Sequence, residues 1–208
     1  MFSSAAFATF LTASILLAIA PGPGMMYILT RSLAAGRREG IVSSVGTFTG
    51  GVIHVIAAAT GLSAILVTSA VAYQAVRWAG GAYLILLGIR MFRSASTGED
   101  STAVKTAPPR NPFLQGIVTE VLNPKTALFF LSFVPQFVDP KLGGVFLQFV
   151  VLGTITVVLN TSVDVAVAIF AGPVGKQLLA SARARRRQRQ ATGAMMAGLG
   201  VYVLAREA

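Results

Sequence analysis

Charged residues are absent from long stretches of this chain, and these stretches predict where it crosses a membrane. A transmembrane helix needs about 20 predominantly apolar residues to cross the hydrocarbon core. Residues 1–30 and 40–76 carry no charged side chain, and residues 142–175 carry a single one, Asp164. These three windows predict three membrane-spanning helices.

Three further windows are shorter or interrupted. Residues 73–92 are apolar apart from an arginine near each end, where a long side chain can reach the headgroups. Residues 111–138 are apolar apart from Glu120 and Lys125. Residues 190–205 form a window of 16 uncharged residues, which is barely long enough to span a bilayer. The pattern therefore predicts an all-α polytopic membrane protein with six transmembrane helices.

The composition agrees with a membrane protein and excludes several other classes. Hydrophobic residues make up 54% of the 208 residues and charged residues 12%, against about 25% charged in an ordinary soluble domain. The chain has no cysteine and one histidine. These counts exclude disulfide scaffolds, cysteine-ligated metals and multi-histidine metal sites. We expect neither a metal site nor a cofactor.

The basic residues predict how the chain is oriented. With six spans, the loops after spans one, three and five hold 13 of the 17 Lys and Arg residues, and the opposite side holds 3. Because basic residues collect in cytoplasmic loops, this bias predicts that the odd-numbered loops are cytoplasmic and that both termini lie outside. The basic run 183–189 has no interleaved aromatic residue, so we interpret it as a contact with anionic headgroups rather than a nucleic-acid site.

The two halves of the chain resemble each other. Shifted by 103 positions, Pro21 falls on Pro124 and Gly50 on Gly153. A shift of 112 positions places Gly81 on Gly193 and Gly88 on Gly200. Because three spans are an odd number, the second unit enters the membrane upside down, as in the inverted repeats of secondary transporters. We predict one transporter domain over 1–208, with repeat one at 1–96, a linker at 97–110 and repeat two at 111–208.

Prolines interrupt the first and fourth spans at matching positions of the two repeats. Proline removes a backbone donor and costs about 3 kcal/mol inside a helix. A restarted helix directs free N–H groups and a positive dipole end into the protein, which suits an anionic group such as an amino-acid carboxylate. The alternative is a simple kink packed against its neighbours. The predicted substrate-binding residues are those of the two breaks: Pro21, Gly22, Pro23 and Gly24, and Asn123, Pro124 and Lys125.

Three ionisable side chains fall within the predicted spans. A charge at the bilayer centre costs about 2.5–3.5 kcal/mol on insertion scales, so it must face a partner or a wet cavity. Lys125 could hold a substrate carboxylate or pair with Glu120 or Asp164. The two carboxyls are the predicted proton carriers, and a static buried ion pair is the alternative. For His54, a packing role is favoured over a proton relay.

Four short stretches occur in order along the chain: Ala20-Pro21-Gly22-Pro23, Gly81-Ala82-Tyr83-Leu84, Asn123-Pro124-Lys125 and Pro135-Gln136-Phe137. With these motifs in this order, the chain resembles the LysE/RhtB family of bacterial amino-acid exporters over nearly its whole length. The resemblance implies a LysE family translocator that exports amino acids or similar small metabolites across the bacterial plasma (inner) membrane, driven by the proton gradient.

Three hypotheses follow for the function. The leading one is a secondary transporter that exports amino acids by proton antiport, with a small-molecule amino acid, protons and the lipid bilayer as partners and no nucleic acid. A membrane-embedded enzyme fits poorly because the only histidine allows no Ser/His arrangement and no HExxH motif. The alternative is a structural or assembly subunit without transport activity. Glycine faces can pack within or between chains, so a homo-oligomer is possible.

Overall fold

The computed structural model describes residues 4–97, 111–171 and 182–205, and all of its regular elements in these ranges are helices. The predicted linker lies almost wholly outside the described residues, as do both chain ends. The helices are α1 (Ser4–Ile19), α2 (Pro23–Ala35), α3 (Arg37–Thr68), α4 (Ala70–Thr97), α5 (Pro112–Val121), α6 (Pro124–Leu128), α7 (Val145–Phe170) and α8 (Ala182–Ala205). The all-α prediction is confirmed for the described residues.

After α6 the chain continues first as a wider and then as a tighter helical turn rather than as a regular α-helix. Phe129–Phe133 form a π-helical turn, and Val134–Phe137 and Pro140–Leu142 form two 3₁₀ turns. The Val134 N–H reaches back to the Phe129 carbonyl, five residues earlier. Irregular turns of this kind inside a helix are frequent at functional sites. The segment after the second proline therefore differs in geometry from α2, which is a regular helix.

Three helical segments are long and apolar enough to cross a membrane: Arg37–Ile65, Gln74–Arg93 and Val145–Phe170. Two further spans are possible if each bent pair counts as one, namely Ala6–Ile19 with Pro23–Ala35 (bent by 41°) and Pro112–Val121 with Pro124–Phe137 (bent by 44°). The window of the predicted sixth span, Gln190–Ala205, is a shorter apolar helix. The described helices thus give three to five candidate spans.

The basic run at the start of α8 is helical, although its place between two spans suggested a loop. Arg183, Arg186 and Arg187 are exposed on the first two turns of α8. Alanine, arginine and glutamine are good helix formers, so the helix extends beyond its apolar part into a charged one.

Many large apolar side chains cover the outside of the bundle. Leu86, Leu122 and Leu147 are each more than half exposed. The interior is a separate cluster rich in phenylalanine, which includes Phe10, Phe129, Phe130, Phe133, Phe137 and Phe149. An apolar exterior around an apolar core is expected for a protein whose solvent is lipid.

Glycines allow the closest contacts between helices. A Cβ added to Gly200 would lie 2.6 Å from the Gly81 carbonyl oxygen, and one on Gly193 would lie 2.6 Å from the Gly88 carbonyl oxygen. Helices α4 and α8 are therefore antiparallel and touch backbone to backbone. The glycines of α3 serve a similar contact within the chain, because a Cβ on Gly50 would lie 2.7 Å from the Glu120 Cβ of α5.

Candidate functional site

The first helix break follows from the missing N–H of Pro21. The Ala20 N–H donates to the Leu16 carbonyl over 2.9 Å and completes the regular bonding of α1. The next carbonyl, that of Leu17, would normally accept from residue 21, which is proline and has no N–H. Helix α2 then begins at Pro23, with Gly22 as its N-cap and no side-chain cap. The first break thus leaves a buried carbonyl that needs a donor from elsewhere.

The second helix break has the same origin but supplies its own cap. The Glu120 carbonyl would normally accept from residue 124, which is also a proline. The Asn123 side chain accepts a hydrogen bond from the Lys125 N–H over 3.1 Å and caps α6. The Asn123 N–H donates instead to the Glu120 carbonyl over 3.0 Å. This break therefore satisfies part of its own freed backbone.

Lys125 joins the two breaks. Its ammonium donates to the Leu17 carbonyl over 3.0 Å and to the Ala20 carbonyl over 2.8 Å, the two carbonyls at the end of α1. A Cβ on Gly22 would lie 3.0 Å from the Lys125 Cε, so the lysine side chain passes directly across this glycine. The structure therefore brings the two breaks into contact in the protein interior, and they share one buried cation.

The sequence left open whether Lys125 pairs with an acidic side chain. Among the described residues, the only ion pair within 4.0 Å joins Arg31 and Glu39, near the turn between α2 and α3. Lys125 lies farther than this from Glu120 and Asp164, and its side chain is 6% exposed. Backbone carbonyls therefore replace a carboxylate as its direct partners.

Glu120 is almost fully buried beside the start of α2. Its two carboxylate oxygens accept from the Asn123 amide over 3.0 Å and from the Thr126 hydroxyl over 2.6 Å. A Cβ on Gly24 would lie 2.6 Å from Glu120 Oε2, so the carboxylate occupies the space that a side chain would need there. Because the N-terminal end of a helix favours negative charge, α2 stabilises this carboxylate. The helix end that was expected to face a substrate anion has the chain's own Glu120 beside it.

Asp164 lies on α7 and contacts α3. The Thr47 hydroxyl is 3.1 Å from Asp164 Oδ2 and 3.0 Å from the Ser44 carbonyl, so it donates its one proton to either acceptor. Thr156, Asn160 and Asp164 follow each other at intervals of four residues, which places them on one face of α7. This stripe faces the same interior region as Glu120.

A small cavity lies between Glu120 and this stripe. Its lining consists of Leu17, Thr47, Gly51, Glu120, Thr126, Phe130, Thr156, Val157, Asn160 and Thr161. Six of these residues carry a polar side chain, namely four threonines, one asparagine and one glutamate, and the others are apolar or glycine. The cavity has room for about one water molecule.

Of the nine predicted site residues, only Glu120 lines this cavity. Asn123 and Gly24 lie against Glu120, and Lys125 passes Gly22 to reach the end of α1. Pro21 and Pro124 lack the N–H groups that would continue the helices. Asp164 reaches the cavity wall through Thr47. The sequence analysis did not predict the threonines. The interval of four residues from Thr156 to Asn160 to Asp164 could have indicated a polar face on this helix.

His54 bonds to a backbone carbonyl. Its Nε2 lies 2.9 Å from the Glu120 carbonyl oxygen, and its ring stacks on Phe130 with 6.2 Å between ring centroids. Because a carbonyl only accepts hydrogen bonds, Nε2 carries the proton in this contact. The histidine thus stabilises the carbonyl that Pro124 freed, which agrees with the packing role that the sequence favoured.

The sequence as a whole defines the class of protein. The chain belongs to the LysE type translocator family, whose pattern matches residues 15–207. This family consists of membrane transport proteins, so the predictions of a transporter and of a protein that is not an enzyme are confirmed.

Individual relatives are named for efflux. The homoserine/homoserine lactone efflux protein of Salmonella typhimurium (strain LT2) is 33% identical over 162 residues, which cover 78% of each chain. The leucine efflux protein of Salmonella choleraesuis is 29% identical over 147 residues, or 70% of this chain and 69% of the relative. An uncharacterized membrane protein of Vibrio cholerae is 26% identical over 194 residues, or 93% of this chain and 94% of the relative. No solved structure matches the chain.

Proposed function

We propose that this chain is a secondary transporter that exports amino acids or related small metabolites across the bacterial plasma (inner) membrane. The observation that carries the proposal is the meeting of the two helix breaks at Lys125, beside a buried cavity whose lining includes Glu120, Asn160 and four threonines. Broken helices around a midplane cavity are the common architecture of substrate sites in secondary transporters. The efflux relatives, named for homoserine, homoserine lactone and leucine, favour substrates of this size.

The break residues are proposed to form the substrate site through the backbone conformation that they impose. Pro21, Gly22, Pro23 and Gly24 on one side, and Asn123, Pro124 and Lys125 on the other, hold the backbone open around the cavity. Since the cavity has room for about one water molecule, a bound amino acid requires these segments to move apart. This movement is the proposed link between binding and alternating access.

Glu120 and Asp164 are proposed to couple export to proton entry. Both side chains are at most 2% exposed, and Thr47 and Thr126 connect them to the cavity by hydrogen bonds. Protons that bind from one side of the membrane and leave to the other can drive antiport only through a titratable group on the path. Asp164 is the better candidate for a proton site that is separate from the substrate, because it does not line the cavity.

The six-span inverted repeat is proposed as the full architecture of a single domain, with the boundaries 1–96, 97–110 and 111–208. The antiparallel α4–α8 contact supports it. Gly81 lies against Gly200, and Gly88 lies against Gly193. The 112-residue shift matches Gly81 with Gly193 and Gly88 with Gly200, so the two contacts are equivalent under the repeat. The two breaks fit it as well, because the 103-residue shift matches Pro21 with Pro124.

The cysteine-free sequence allows a direct test of the proposed topology. Single-cysteine variants Ser101→Cys, Lys141→Cys and Ala208→Cys are exposed in intact cells to a membrane-impermeant thiol reagent. We expect labelling of the second and third but not of the first, because loop three is proposed to be cytoplasmic and the C-terminus external. Labelling of Ser101→Cys in intact cells, or protection of Ala208→Cys, would contradict the arrangement. A homo-oligomer stays a prediction that crosslinking of the same variants checks.

The function itself is tested by efflux from cells that overexpress the protein and by purified protein in liposomes. A panel of labelled amino acids is measured with and without an uncoupler. We expect saturable export of at least one amino acid that the uncoupler abolishes. No movement in liposomes, together with co-purification of a partner complex, would favour the assembly-subunit alternative, and flux without saturation would indicate a channel.

Asp164→Asn tests the proton step. The substitution keeps the size of the side chain and removes the group that would gain and lose a proton. We expect loss of proton-driven export, with exchange of substrate for substrate retained, since exchange needs no net proton movement. Full proton-driven export by this variant would exclude Asp164 from coupling.

A further inference from the structure

Glu120 is the only charged side chain among the residues that line the cavity. Glu120 contributes a carboxylate, which is an acceptor on both oxygens when ionised. Each oxygen has one donor from the chain, Asn123 or Thr126, and a carboxylate oxygen has capacity for a second. The charged group of the cavity is therefore negative and has acceptor positions left.

Three of the four threonine hydroxyls in the lining already donate their protons to the chain, and the Asn160 amide of the lining can both donate and accept. Thr126 donates to Glu120 Oε1 over 2.6 Å, and Thr156 donates to the Leu152 carbonyl over 3.1 Å. Thr47 donates either to Asp164 or to the Ser44 carbonyl. Since a hydroxyl has one proton and two lone pairs, these three threonines offer acceptor lone pairs to a ligand.

Among the described residues, none of the side chains that line the cavity is Lys, Arg or His. The nearby cation, Lys125, donates to the Leu17 and Ala20 carbonyls over 3.0 and 2.8 Å, at the end of α1. The start of α2 faces Glu120 at Gly24. Both positive groups that could have held a substrate carboxylate are therefore paired within the chain.

We propose that the site recognises its substrate by the ammonium group and does not require a free carboxylate. Its substrates are then small primary ammonium compounds that carry either a carboxylate or a neutral carbonyl group. Amides, esters and lactones of amino acids therefore bind alongside the free amino acids. N-acylated amino acids, which keep the carboxylate and lose the ammonium, are excluded. This inference rests on the proposed function only in taking the cavity as the transport site.

The test measures binding to purified protein in detergent by equilibrium dialysis, with the shift of the melting temperature as a second readout. The probes are L-leucine, L-leucinamide and N-acetyl-L-leucine, and in parallel L-homoserine, L-homoserine lactone and N-acetyl-L-homoserine. In at least one series we expect the amide or lactone to bind within about threefold of the free amino acid. The N-acetyl acid should bind at least about tenfold more weakly, because it lacks the charge-assisted hydrogen bond to Glu120.

A substitution assigns the preference to Glu120. Glu120→Gln keeps the shape of the side chain and removes its charge, so we expect the dissociation constants of the ammonium compounds to rise about tenfold or more. The matched control is Asp139→Asn, which removes a negative charge on an exposed turn outside the cavity and keeps an oxygen that can cap Lys141. If Glu120→Gln does not fold, the ranking of the six compounds on the unmodified protein still decides.

Each outcome is decisive. Binding of an N-acetyl acid as tight as that of the matching amide or lactone would overturn the inference, and so would absence of binding by all four ammonium compounds. Binding with the expected ranking, but no transport in liposomes, would contradict the proposed function and support the inference about the ligand.

Discussion

The two helix breaks face the same physical problem and solve it differently. In each, a proline removes the N–H that a buried carbonyl four residues earlier requires, at Leu17 in the first break and at Glu120 in the second. The second break uses its own Asn123 N–H and the nearby His54 ring. The first break has only glycine and proline, and it relies on Lys125 from the other half of the chain. The stability of the first break therefore depends on Lys125 of the second break, whereas the second break depends less on the first.

Lys125→Met should have the largest effect. Among the described residues, Lys125 is the only side-chain donor to the buried Leu17 and Ala20 carbonyls, and the substitution removes both hydrogen bonds. Each unsatisfied buried carbonyl costs about 1–3 kcal/mol, so we expect a loss of about 2–6 kcal/mol in stability together with loss of export. The measurement is the melting temperature in detergent and efflux in cells. Lys141→Met, at an exposed lysine on a 3₁₀ turn, is the control and should leave both unchanged. A Lys125→Met protein as stable as the control would show that the breaks do not depend on each other in this way.

Gly24→Ala should have an intermediate effect and sharpens the comparison. The equivalent position of the second repeat, Ala127, already carries a methyl group. At Gly24 the added Cβ would lie 2.6 Å from Glu120 Oε2, so the carboxylate must shift. We expect a cost of about 1–3 kcal/mol and weaker substrate binding, measured by melting temperature and transport affinity.

Two controls separate this contact from a general effect of replacing a helical glycine. Gly198→Ala meets nothing within 4 Å and should be neutral or slightly stabilising. In the double variant Gly24→Ala with Glu120→Ala, the stability cost of the added methyl should disappear, because its neighbour is gone. An unchanged cost in the double variant would place the strain elsewhere.

His54→Leu should have the smallest effect of the three. The Glu120 carbonyl keeps its bond from the Asn123 N–H when the ring is removed. We expect a loss of about 1 kcal/mol in stability and continued export. His54→Gln, which can still donate a hydrogen bond, should recover part of the stability. Complete loss of export by both variants, with stability intact, would instead point to a proton relay through His54.

The breaks could be read from the sequence because their cause is local. A proline has no N–H wherever the chain places it, so Pro21 and Pro124 located both breaks without any tertiary information. The partners of the freed carbonyls are not local: Lys125 reaches Leu17 across 108 positions. The charge pattern suggested an acidic partner or a substrate for Lys125, and only packing decides that two backbone oxygens are nearer.

The residues of the cavity wall could be predicted from the sequence only in part. Asp164 and Glu120 stand out in apolar spans because a buried charge is costly. Threonine in such spans is unremarkable, since its hydroxyl can bond to its own helix, as Thr156 does to Leu152. That Thr47, Thr126 and Thr156 converge on one space depends on how α3, α6 and α7 pack, which no single segment encodes.

The backbone contact between α4 and α8 has a mechanical consequence. Helices that touch at Gly81, Gly88, Gly193 and Gly200 leave no side-chain layer between them through which one could slide or rotate past the other. We expect α4 and α8 to move together as one rigid body. The hinges of the transport cycle would then fall at the two proline breaks and not between α4 and α8.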